Sequence, residues 1–121
     1  MEKLRVLFQG DSITDMDRER STIRDIDNGF QLFDASNFRA DNPKFDIDFF
    51  DLGISGNRVS DLRDRWQTDC LDLHPDVLSV LIGINDTWRK YDSDLPSEFG
   101  EFESIYRSLL EDARRESPDI K

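Results

Sequence analysis

Apolar positions recur along this chain in two rhythms. Leu4-Arg5-Val6-Leu7-Phe8 is a mostly apolar run closed by Gln9-Gly10-Asp11-Ser12, and Val77 to Ile82 is an almost continuous one closed by Gly83-Ile84-Asn85-Asp86. Runs of that length ending in turn-forming residues predict inner strands of a parallel sheet covered on both faces. A third run alternates, with Phe45, Ile47 and Phe49 on one side and Asp46 and Asp48 on the other. That is the period of a strand with one wet face and suits a sheet edge. Elsewhere the spacing becomes helical. Phe99, Phe102, Ile105, Tyr106, Leu109, Leu110 and Ala113 form one apolar stripe. Ser97 is placed to cap its start, Glu98 and Glu101 suit the positive end of the dipole, Arg114 and Arg115 the negative end, and Ser117-Pro118 stops it. A second helix is predicted from about Arg58 to Leu71, burying Val59, Leu62, Trp66 and Cys70, and a third from about Gly29 to Ala40.

Strand, helix, strand, helix, strand, helix is the rhythm of an α/β doubly wound sheet with parallel strands and right-handed crossovers. No repeat, linker or low-complexity stretch divides the chain, so residues 1–121 read as a single domain. Composition changes this picture little: 36% hydrophobic residues with nine Phe suffice for a core, beside 36% charged residues. The formal charge of −11 would repel phosphate backbones and anionic lipid heads, so nucleic acid and membrane surfaces are poor partners. Its plainest effect is solubility. The lone Cys70 allows no intrachain disulfide, offers no metal cluster and reads as a packing residue. The apolar run near Met1 is too short for a signal peptide or membrane span, so the expectation is a cytoplasmic protein.

Candidate chemistry lies where the strands end, since ligands of open α/β sheets bind outside the C-terminal ends of the strands. Ser12 follows the first strand on a Gly-Asp-Ser turn, Gly53 follows the second within Asp51-Leu52-Gly53-Ile54-Ser55-Gly56-Asn57, and Asn85 follows the third. A hydroxyl, a backbone N–H unshielded by a side chain and a neutral amide converging on one point is the geometry of acyl transfer. Arg58 and Trp88 are candidates to line an ester or sugar groove, with packing and surface ion pairing as their plainer roles. Asp11 and Asp86 are further substrate-binding candidates, although Asp in a turn commonly bonds its own backbone, and the same applies to Asp15 near the nucleophile turn.

Gly10-Asp11-Ser12-Ile13-Thr14-Asp15, Gly53-Ile54-Ser55-Gly56-Asn57 and Gly83-Ile84-Asn85-Asp86 resemble, in order, the first three sequence blocks of the SGNH or GDSL hydrolases. Arg58-Val59-Ser60-Asp61-Leu62 and Asn85-Asp86-Thr87-Trp88 resemble the branch that includes carbohydrate acetyl esterases. The resemblance implies a three-layer, flavodoxin-like sheet of which the chain holds the first three strands. It implies a serine esterase of small acyl, above all acetyl, esters, with an acetylated carbohydrate among its substrates and no cofactor or metal. Ser12 would attack the carbonyl, and the N–H of Gly53, the side chain of Asn85 and the N–H of Ser12 would hold the oxyanion.

One block of that pattern, the Asp-x-x-His supplying the base and its orienting acid, does not occur in the 121 residues. The single histidine, His74, precedes the third strand, so six or so residues at ~3.3 Å each separate it from Ser12, roughly 20 Å. Little or no turnover is therefore expected from this chain alone. Two other readings stand beside the esterase: a non-catalytic, truncated chain that binds esters or self-associates, and a receiver-like domain holding magnesium at Asp11, Asp51 or Asp86. In the implied strand order the third strand is an apolar edge, and self-association along it is expected.

Overall fold

A computed structural model of the chain describes residues 2–26, 29–92 and 99–121. β1 (Glu2–Gly10), β2 (Phe45–Asp51) and β3 (Val77–Leu81) form a parallel sheet in the order β2-β1-β3. β1 runs against β2 from the pair Glu2 and Phe45 to the pair Phe8 and Asp51, and against β3 from Val6 and Val77 to Gly10 and Leu81. The turn after Gly10 therefore emerges between the ends of the other two strands.

Alternation along β1 distributes the core. Leu7 points to one face, where it is fully buried with Phe50, Leu52, Val59, Leu62, Trp66, Cys70, Ile105, Leu109 and Ala113. Val6 and Phe8 point to the other, with Ala35, Ile47 and Phe49. A fully buried Leu is worth ~1.5–3 kcal/mol, so each face has its own hydrophobic anchor. On β2 the alternation holds through Asp48 and then stops, because Phe50 turns the former wet side into core.

The helices make the outer layers. α1 (Ser12–Asp15) is a single turn; α2 (Phe30–Asp41) covers the Val6 face, close to the predicted span, with Ala35 in the core and Phe38 set edge-on to Phe49. The helix predicted from Arg58 to Leu71 is broken into α3 (Val59–Asp64), α4 (Trp66–Asp69) and a 3-10 turn at Leu71–Leu73. The break is at Arg65, whose φ of −113° and ψ of 8° leave the helical region and turn its guanidinium inward to the strand ends. Val59, Leu62, Trp66 and Cys70 are nonetheless all buried.

α5 (Ile84–Asp92) occupies a stretch read from sequence as a turn. Among its described side chains the apolar Ile84 and Trp88 are exposed, so these mark no core-facing stripe. α6 (Phe99–Glu116) matches its predicted stripe: Ile105, Leu109 and Ala113 are buried, and the Trp66 indole donates to the Leu109 carbonyl at 3.1 Å. The predicted cap residues Ser97 and Glu98 lie outside the described residues. Among the described residues no helix is long and apolar enough to cross a membrane.

Candidate active site

The β1–α1 turn presents Ser12 at the surface while its neighbours are held beneath it. Asp11 is buried and caps α1, its Oδ1 accepting the Ile13 N–H at 3.1 Å, and Thr14 and Asp15 are buried behind the serine. Asp11 thus holds the turn through Oδ1.

Three contacts join this turn to the loop after β2. The Ile54 N–H donates to Gly10 O at 3.1 Å, the Ser55 N–H to Asp15 Oδ2 at 2.7 Å, and Arg18 Nε to Gly53 O at 3.0 Å. Gln31 donates from one nitrogen to both the Thr14 carbonyl and Asp51 Oδ2. Burial alone would raise the Asp15 pKa, but hydrogen bonds from Ser55 and the nearby Arg20 hold it below the ordinary range. For Asp51 burial wins, pushing its carboxyl up against the opposing N–H of Gly53, Gln31 and Arg18.

The loop after β2 also meets the start of α5. Asn85 Nδ2 donates to Asn57 O at 3.1 Å, and Asp86 Oδ2 accepts the Val59 N–H at 3.0 Å. Asp86 is buried, which pushes its pKa up, and its Oδ2 serves the start of α3. Arg58 precedes α3, half-buried; its N–H donates to Asp61 Oδ2 at 2.8 Å and its Nε lies 3.5 Å from the same oxygen. Trp88 is 58% exposed on α5, four residues after exposed Ile84. The site that results is an exposed hydroxyl, an amide and a loop peptide at one end of a rigid sheet, the equipment of acyl transfer.

A family model for the GDSL-like lipase/acylhydrolase family matches residues 8–121. The chain belongs to that family. This GDSL-like chain is 38% identical over 114 residues to an acetylxylan esterase of Geobacillus stearothermophilus, covering 88% of this chain and 52% of that protein. It spans about half the length of the curated relative it matches. A GDSL-like lipase structure from Parabacteroides merdae superimposes with a TM-score of 0.93 at 36% identity, over 99% of this chain and 57% of that one. The acetylxylan esterase structure gives 0.85 at 35%, over 98% and 56%. Solved forms of that esterase include catalytic mutants at a serine, an aspartate and a histidine, the last two lying three positions apart.

Within this GDSL-like fold one expected donor is differently placed. The Gly53 N–H is buried and donates to Asp51 Oδ1 at 2.9 Å, so it is committed inside the protein and does not face a substrate. Glycine is needed there for another reason: a Cβ would lie 2.6 Å from Asp15 N and 2.7 Å from Thr14 Cβ, so a side chain would push the two loops apart. The glycine that sequence reasoning passed over is Gly56, half-buried with a φ of 85° and next to Asn57, which Asn85 contacts. Arg65 was missed too, hidden within a helix pattern.

His74 ends the 3-10 turn, exposed, just before β3. Asp76, two residues later, bonds through its N–H to Arg5 O at 2.9 Å, which puts this histidine beside the first half of β1, remote from Ser12. The Asp11, Asp51 and Asp86 carboxylates named for a receiver-like site are each engaged separately, with Ile13, with Gly53 and Gln31, and with Val59. Among the described residues no group of three His, Cys, Asp or Glu could hold a metal ion.

Proposed function

We propose that this chain carries the nucleophile and oxyanion half of a serine esterase acting on small acyl esters, with acetylated carbohydrates as the substrate class. The observation that carries the reading is the exposed Ser12 at the end of the central strand, tied through Ile54 and Ser55 to the loop whose Asn57 contacts Asn85. The acetylxylan esterase relative supports the substrate class. In this reading Ser12 Oγ adds to the carbonyl carbon, the oxyanion takes hydrogen bonds from the N–H groups of Ser12 and Gly56 and from the second amide hydrogen of Asn85, and the alcohol leaves an acyl-serine that water hydrolyses. Each such donor is worth ~3 kcal/mol in the transition state. Trp88 and Arg58 are proposed to border the groove that receives the sugar, the exposed indole offering its face to a pyranose ring.

The base is the missing element, since the one histidine of the 121 residues is His74. Loss of a triad histidine lowers turnover by on the order of 10⁶, so the chain by itself is expected to acylate slowly and to turn over close to background. The test is incubation with an activated acetyl ester, read by peptide mass spectrometry and by product release, beside Ser12→Ala. A slowly formed acetyl group on Ser12, absent from the variant, supports the reading. Equal, scattered acetylation in both proteins overturns it. The position of His74 favours a second reading, a chain that binds acetylated sugars without cleaving them; calorimetric binding of an acetylated xylo-oligosaccharide by both proteins, with no acyl-serine formed, would establish it.

A further inference from the structure

The guanidinium of Arg65 binds the segments that carry the reacting groups. Its Nη2 donates to Gly10 O at 3.2 Å, at the end of the strand leading to Ser12, and its Nη1 to Leu52 O at 2.8 Å, just past the end of β2. Its Nε donates to Asn57 Oδ1 at 2.9 Å, and the backbone carbonyl of that same Asn57 accepts from Asn85 Nδ2 at 3.1 Å. Nη1 also bonds Gln9 Oε1 at 2.9 Å and Asp69 Oδ2 at 3.2 Å, the latter supplying the countercharge, and Gln9 is itself fixed to the Asp69 carbonyl. The Arg65 side chain is 15% exposed. One planar group therefore spans the ends of β1 and β2 directly and reaches Asn85, in the first turn of α5, through Asn57.

We propose that Arg65 is a positioning residue for acyl transfer, fixing Asn57 and, through it, the Asn85 amide at a set distance from the strand end that presents Ser12. This rests on the reading of Ser12 and Asn85 given above. Two observations argue for more than a stabilising ion pair. The helix breaks at this residue, which brings the guanidinium under the site, and Asp69 alone would satisfy the charge as an ordinary i,i+4 pair on an unbroken helix. The five contacts also lie along a rigid fork, which the point-like ammonium of lysine cannot reproduce.

The experiment uses the ¹⁵N-labelled chain with Arg65→Lys and Asn57→Ala, the second cutting the last link while leaving Arg65 its other partners. The side-chain amide signals of Asn85 report the site, and the indole signal of Trp66, buried in the α3–α6 core, reports the fold. In parallel, Ser12 is labelled with a fluorophosphonate: the Oγ–P bond forms, fluoride leaves and the hydroxyl proton passes to water. Both variants should shift the Asn85 pair, leave Trp66 in place and slow labelling by on the order of tenfold to a hundredfold, the effect of a small misplacement of reacting groups. Unchanged Asn85 signals and labelling in both variants, or Trp66 moving together with Asn85, would overturn the proposal. Should Arg65→Lys fail to fold, Asn57→Ala decides alone. If Ser12→Ala is labelled as fast as the unsubstituted chain, it is the nucleophile reading that fails, and the amide signals still decide the place of Arg65.

Discussion

Asp86, next to Asn85, and Asp15, in the turn that carries Ser12, show how one residue type is turned to opposite electrostatic effect. Burial raises the Asp86 pKa, so its contribution to stability is fully present below 3.8, its unfolded value, and is lost as pH rises through its higher folded value. Asp15, held below 3.8 mainly by Ser55 and Arg20, contributes stability above 3.8 that is lost as pH falls through its lower folded value. Asp86→Asn keeps a carbonyl to accept the Val59 N–H while removing the charge. It is expected to leave stability at pH 7 unchanged or raised, and to flatten the decline that sets in as pH rises above 3.8, in urea melts run from that pH to neutrality. The opposite is expected at Gly53. Gly53→Ala forces a methyl into Thr14 and the Asp15 backbone, costing about 1–3 kcal/mol in the same assay.

Elements were legible where their apolar positions face a core. β1 follows from run length and α6 from its stripe because each buries apolar residues in the core. By contrast β3, read from its run as an inner strand covered on both faces, lies at the sheet edge with its residues only half-buried or exposed, and α2, which buries only Gln31 and Ala35, shows no such stripe. α5 and the break at Arg65 were not legible, and for one reason: both are organised by polar groups at the strand ends, Asn85 and Asp86 in one case and a guanidinium in the other. Periodicity reports burial and is silent about such contacts. Of the candidate site, the placement of Ser12 just past β1 was legible from its turn, whereas Asn85 stands in the first turn of α5, and the bonds that the Gly53 N–H, Asp11 Oδ1 and Asp86 Oδ2 make within the fold leave no mark in the sequence pattern. Where the stripe was read, it makes a sharp prediction. Leu109 is 2% exposed on α6 and packs in the same core as Leu62 and Trp66, so Leu109→Ala should cost about 2–5 kcal/mol by urea unfolding. Leu110→Ala, one residue on and 41% exposed, should cost under about 1 kcal/mol.

At the scale of the whole molecule, charge and edge oppose each other. Beyond β1, the lower part of β3 is paired with Lys121, whose N–H donates to Asp76 O at 3.0 Å and whose carbonyl accepts from Leu78 at 2.9 Å. Among the described residues no strand pairs with that side of β3 above Leu78, and Leu81 is 43% exposed there. An open parallel edge with apolar side chains favours association of copies, whereas a charge of −11 on each disfavours it. The two terms respond differently to salt. The Debye length shrinks from about 30 Å at 0.01 M to about 8 Å at 0.15 M, which screens the repulsion and leaves strand pairing almost untouched. Association of this 121-residue chain is therefore expected to strengthen as salt rises, the reverse of an assembly held by ion pairs. Sedimentation velocity at low and physiological salt checks this, and Leu81→Lys, which places a charge on the edge while leaving the buried residues alone, should return the chain to monomer. A monomer at every salt and concentration would mean that Lys121 and the self-repulsion already suffice to close the edge; association that Leu81→Lys leaves intact would place the contact elsewhere.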